Sequence, residues 1–72
     1  MFEYSVEAER TDARGSVATT KNTALVLDTS LEGRADAFNP AELLLAAIAA
    51  CMIKGIERVT PMLGFKLRGV RV

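Results

Sequence analysis

The chain has 72 residues with one cysteine and no histidine, and its nine Lys plus Arg balance nine Asp plus Glu. One Cys closes no intrachain disulfide, and without His the chain assembles neither the usual zinc ligand sets nor a Ser-His-Asp or Cys-His arrangement. The even charge offers no basic excess for nucleic acid or an anionic membrane surface, so neither is expected as a partner.

At this length the expectation is a single domain over residues 1–72, whose core leaves roughly 3–5 kcal/mol of net stability. With disulfides and a structural metal removed from the options, association with further copies is the expected source of extra stability. No G-x-x-x-x-G-K-[ST] or G-x-G-x-x-G string offers a phosphate cradle, and no cofactor is expected.

From Phe2 to Glu9 the residues alternate, with Phe2, Tyr4, Val6 and Ala8 on one side and Glu3, Ser5, Glu7 and Glu9 on the other. This period of two predicts a half-buried strand. Its acidic, alternating character is unlike a signal or transit peptide, which makes a reducing, cytoplasmic setting the default expectation. Thr11-Asp12-Ala13-Arg14-Gly15 reads as a turn, and Ser16–Thr20 as the second arm of a hairpin. Lys21-Asn22 is a short polar break before Thr23–Asp28, where Ala24, Leu25, Val26 and Leu27 predict a third, more buried strand. The three make an antiparallel meander. Thr29–Phe38 has no sustained period and contains Gly33, which predicts a surface loop of the kind that lines sites.

At Asn39-Pro40-Ala41-Glu42 the signals for a helix start coincide: Asn at N-cap, Pro at N1, Glu at N3 and Phe38 as a hydrophobic staple. The helix is expected to run through Leu43 to Arg58. Thr60-Pro61 and Gly64 place its end between Val59 and Leu63. The uninterrupted apolar run Leu43–Ile53 is eleven residues, short of the roughly 20 that span a membrane. It leaves no polar face across three turns, the pattern of a helix surrounded by protein. One small sheet covers one side of such a helix, and a second copy of the helix is the simplest cover for the rest. Phe65–Val72 reads as a further strand whose apolar parity shifts at Gly69, predicting a bulge. The pattern stops at Val72 without a turn or cap, as in a chain cut short or completed by another. The fold class expected is α+β: a β-meander, a long buried helix and a further strand.

Cys51 lies on that helix, with Ala47, Ile48, Lys54, Gly55 and Arg58 on the same broad face. Two readings stand. A lone Cys in an Ala/Leu/Ile run has the pattern of a small buried hydrophobe. Alternatively, cations such as Lys54 and Arg58 on the same face favour the thiolate, the reactive form.

The segment Asn39-Pro40-Ala41-Glu42-Leu43-Leu44-Leu45-Ala46-Ala47-Ile48-Ala49-Ala50-Cys51 resembles the N-P-x-E-L-L-x-A-A-x-A-A-C signature of the OsmC/Ohr family of osmotically inducible and organic-hydroperoxide-resistance proteins. The preceding hairpin, third strand and loop, and the following strand, fall in the family's order. All 72 residues are thus covered, but they resemble only its N-terminal half.

The resemblance implies an α+β fold and an intertwined homodimer whose central helices pack against one another, with sites at the subunit interface. It also implies thiol peroxidase activity, in which Cys51 attacks a small organic hydroperoxide and becomes a sulfenic acid. Family peroxidases resolve that acid with a second Cys on a later helix, which these 72 residues do not contain. They also use an Arg from the N-terminal strand region, paired to an acidic residue just after the Asn-Pro. Arg14 is the candidate here, with Arg10 behind it. Ala41 directly follows Pro40 and Glu42 comes next, so the acidic partner is displaced by one.

The bland roles are an N3 cap for Glu42, a solvated turn residue for Arg14, and surface or rim charges for Arg34 and Lys54. The alternative function is a non-catalytic OsmC-like module binding an apolar or acidic small molecule, or a truncated fragment, with Cys51 structural in either case.

Overall fold

The computed structural model describes residues 3–64 and 66–72. It is a small α+β fold that divides into two compact units, Met1–Glu42 and Leu43–Val72. The first unit holds a three-stranded antiparallel sheet in the order β1 (Glu7–Asp12), β2 (Gly15–Thr20), β3 (Thr23–Leu27).

The turn chemistry between the strands sets their register. β1 pairs with β2 from Glu7↔Thr19 to Arg10↔Ser16, then slips so that Asp12 faces Gly15. Thr11 is the extra, bulged residue, and its Oγ1 donates 2.8 Å to the Gly15 carbonyl. The Asp12 carboxylate accepts from the Arg14 N–H at 2.8 Å, a side-chain-closed turn. β2 and β3 are joined by Lys21-Asn22 alone, with Thr20 opposite Thr23, and Lys21 takes the positive φ of 54° that so short a connection needs.

The hairpin and the third strand stand close to where the sequence places them, but the first strand does not. Of the alternating stretch Phe2–Glu9, only Glu7–Glu9 enter β1, residues 3–6 have no strand conformation, and Phe2 lies outside the described residues. All of β1 is exposed, as are Tyr4 at 83% and Val6 at 67%. Alternation marks a strand that has a layer to face, whereas pairing here is dictated by the bulged turn, which starts the ladder at Asp12 and Gly15. β3 is likewise more exposed than its composition suggests. Leu27, 9% exposed, is its one buried residue and the one buried hydrophobe among the described residues.

Helix α1 runs from Pro40 to Val59, twenty residues. Its start is the reciprocal capping box: the Glu42 N–H donates 2.8 Å to Asn39 Oδ1, and the Asn39 N–H donates 3.0 Å to Glu42 Oε1. At its end Thr60 turns back on Ile56, whose carbonyl accepts from the Thr60 N–H at 3.0 Å and the Thr60 hydroxyl at 2.6 Å. A single 3₁₀ turn, Pro61–Leu63, follows and is closed by Gly64 at φ 77°.

The helix itself stands where the sequence puts it, and the single chain leaves it unburied; the burial expected of it is the one that association with a further copy would supply. None of its residues is buried, because the apolar run offers more surface than one chain covers. The further strand is also corrected. Residues 66–72 have no regular structure, since a strand exists only with a ladder partner and they have none among the described residues. The bulge expected at Gly69 goes with it, and Phe65 lies outside the described residues. Among the described residues no helix is long and apolar enough to cross a membrane.

Candidate functional site

The segment after β3 is the most heavily hydrogen-bonded loop of the first unit, and one buried side chain organises it. Asp28, 4% exposed, continues β3 just far enough for its N–H to donate 2.8 Å to the Phe38 carbonyl, beside a parallel bridge between Leu27 and Phe38. This ties the two ends of the loop together immediately before the helix cap. Asp28 Oδ1 accepts from the Ser30 N–H at 3.0 Å and the Ser30 hydroxyl at 2.6 Å, and Oδ2 accepts from the Arg34 N–H at 2.8 Å. The Ser30 hydroxyl in turn accepts from the Gly33 N–H at 2.9 Å, where the chain reverses at φ 90°. The Ser30 hydroxyl, followed by the Arg34 N–H, holds the Asp28 carboxyl below its ordinary pKa.

Arg34 is the second organiser. Its Nε and Nη2 make a bidentate pair with Asp36 at 2.8 and 2.9 Å, and its Nη1 reaches the Arg14 carbonyl at 3.4 Å. The hydrogen bonds from Arg34 lower the Asp36 pKa, and Asp36 raises that of Arg34. With its side chain only 18% exposed, Arg34 is a structural clamp and not the rim charge its setting in the sequence suggests. Neither Asp28 nor Arg34 is marked by periodicity. The one local signal is the Asp28-x-Ser30 spacing, which suits a side-chain-closed turn.

The residues singled out from the sequence fall in separate settings. Glu42 is committed to the helix cap, as the capping box requires. Arg14 is an exposed turn residue whose N–H and carbonyl are used by Asp12 and Arg34. Among the described residues the ion pair formed is Arg34 with Asp36, and Arg14 and Glu42 form none with each other. Arg10 is exposed on β1 opposite Ser16. In the second unit Cys51 is a free, exposed thiol on α1, with the exposed Lys54 and Arg58 three and seven residues on.

A shallow depression of about 280 Å³ lies beside Arg14, lined also by Ala13, Ser30, Leu31, Glu32 and Gly33. Of its two opposite charges, Arg14 sits in the turn between β1 and β2 and Glu32 on the loop that the Asp28 hydrogen bonds hold in shape. Among the described residues no three acidic or Cys side chains are grouped to hold a metal ion. No family model matches the chain, and it matches no curated protein and no solved structure.

Proposed function

We propose that this chain is an OsmC-like thiol-dependent peroxidase unit that reduces organic hydroperoxides through Cys51, working as a homodimer. The observation that supports it most is the thirteen-position register from Asn39 to Cys51, seated on a helix whose capping box is formed by Asn39 and Glu42. A fixed helix start holds Cys51 three turns into α1 with its thiol open to solvent.

In the reaction the Cys51 thiolate attacks the terminal oxygen of the hydroperoxide. The O–O bond breaks, the alkoxide takes a proton and leaves as the alcohol, and Cys51 becomes a sulfenic acid. A thiol outside these 72 residues condenses with the sulfenic acid, releasing water, and a dithiol reductant then returns both sulfurs to thiols. Arg14 is the candidate to steady the thiolate and Glu42 its acidic partner. Glu42 also caps α1, so its substitution has to separate the two roles.

The test is the mass of the protein after exposure to one equivalent of an organic hydroperoxide, with and without a sulfenic-acid trap. One added oxygen on Cys51, captured by the trap and absent from Cys51→Ser, is expected. An unmodified thiol under these conditions removes the peroxidase reading.

The second reading is a non-catalytic binding module in which Cys51 is structural. The depression beside Arg14 and Glu32 favours it. A small carboxylic acid that shifts the amide resonances of residues 30–33 equally in the native chain and in Cys51→Ala would support this reading.

A further inference from the structure

The depression beside Arg14 has two walls from different parts of the first unit: Ala13 and Arg14 from the turn between β1 and β2, and residues 30–33 from the loop after β3. The walls are joined twice. The hydroxyls of Ser16 and Thr29 meet at 2.7 Å near the start of the loop, and Arg34 Nη1 donates to the Arg14 carbonyl at 3.4 Å. A gap held by hydrogen-bonded backbone on both sides loses little freedom when a ligand enters it.

The other charges around that gap are already committed. Asp12 accepts the Arg14 N–H, Asp28 accepts from Ser30 and Arg34, and Asp36 holds the Arg34 guanidinium. Two charged side chains are left over. Among the described residues neither the Arg14 guanidinium nor the Glu32 carboxylate takes part in a hydrogen bond or an ion pair, with each other or with any other group, although both line the depression.

We infer that this depression is a site for a small zwitterion, an α-amino acid whose carboxylate is taken by Arg14 and whose ammonium is taken by Glu32. The inference rests on the binding-module reading of the proposed function and names its ligand. Arg14 presents the planar fork that a carboxylate matches, and Glu32 presents the acceptor that an ammonium needs. A ligand with one charge satisfies one wall and meets its own sign on the other: a plain acid faces Glu32, and a plain amine faces Arg14.

Size and apolar character narrow the class further. At about 280 Å³ the depression falls below the roughly 300–1000 Å³ of pockets for drug-sized ligands. It fits a single amino acid better than a peptide. Leu31, fully exposed, supplies an apolar wall, which favours an aliphatic side chain.

Arg14 serves the loop through its backbone, and Glu32 makes no hydrogen bond described for it, so both side chains can be replaced with the frame intact. The experiment titrates the intact chain with L-leucine, with isocaproate, which lacks the ammonium, and with isoamylamine, which lacks the carboxylate. The readout is the amide resonances of residues 13, 14 and 30–33. L-Leucine is expected to bind about fivefold tighter than either of the others, the gain from one exposed ion pair. Glu32→Gln should remove its advantage over isocaproate while isocaproate still binds, and Arg14→Gln should weaken both. Equal binding of L-leucine and isocaproate, or an advantage that survives Glu32→Gln, overturns the zwitterion and leaves the binding-module reading standing. If none of the three ligands shifts these resonances, that reading falls with it.

Discussion

Arg34 lies over Gly15, so close that a β-carbon on that glycine would stand 2.7 Å from Arg34 Nη1 and 2.8 Å from the Leu27 carbonyl oxygen. The guanidinium end can move, but the backbone of β3 cannot without disturbing the β2–β3 ladder. Gly15→Ala is therefore expected to destabilise the chain by about 1–3 kcal/mol. The check is a urea transition, in which the variant's midpoint should fall with an unchanged slope. An unaltered midpoint would mean that the Leu27 carbonyl gives way to the added β-carbon without cost to the ladder.

Asp28 accepts three hydrogen bonds that give the loop its shape. Asp28→Asn replaces one acceptor oxygen with a donor, leaving either the Ser30 or the Arg34 N–H without its partner. Amide exchange at one of these two positions should speed up markedly, with little change in β1 or β2. Glu32→Gln, which alters a charge on the same loop but no hydrogen bond described for it, should leave exchange at Ser30 and Arg34 as it was.

The pH dependence follows from the same carboxylates. Asp28 and Asp36 both have folded-state pKa values below the ordinary 3.8. Their contribution to stability is therefore complete above about pH 4 and is lost as the pH falls through the lowered folded values. A native chain titrated from pH 6 downward should hold its loop structure to near pH 4 and lose it below. Asp36→Asn should show a weaker acid response, because Asp36 no longer titrates.

Glu42 offers a direct separation of capping from catalysis. Asn39→Ala removes the oxygen that accepts the Glu42 N–H and should cost about 1 kcal/mol of stability. Glu42→Gln keeps an oxygen able to accept the Asn39 N–H, so the helix start should survive as measured by circular dichroism. If hydroperoxide oxidation of Cys51 also survives in Glu42→Gln, the carboxylate charge has no part in it. If oxidation slows while helix content holds, Glu42 acts on the reaction beyond its role as a cap.

What could be read from the residues alone was whatever short-range chemistry decides. Asn39 and Glu42 three positions apart, Pro40 between them, and Thr60, Pro61 and Gly64 at the far end specify α1 through bonds that close within a turn. Lys21-Asn22 between two β-prone runs likewise specifies the second hairpin. The position of Cys51 on α1 follows directly.

Tertiary structure decided what distant partners supply. Whether Tyr4 and Val6 belong to a strand, whether residues 66–72 form one, and whether α1 is buried all depend on a neighbouring surface, and an apolar pattern records only the capacity to use one. The Asp28 and Arg34 clamps were hidden for the same reason. The Asp28 carboxylate reaches Arg34, six residues on, and Arg34 reaches the Arg14 carbonyl, twenty residues back, meetings set by the turn at Asp12–Gly15 and the bridge from Leu27 to Phe38. Hydrogen bonds between such groups leave no period in a sequence, because it is the path of the folded chain that brings them together.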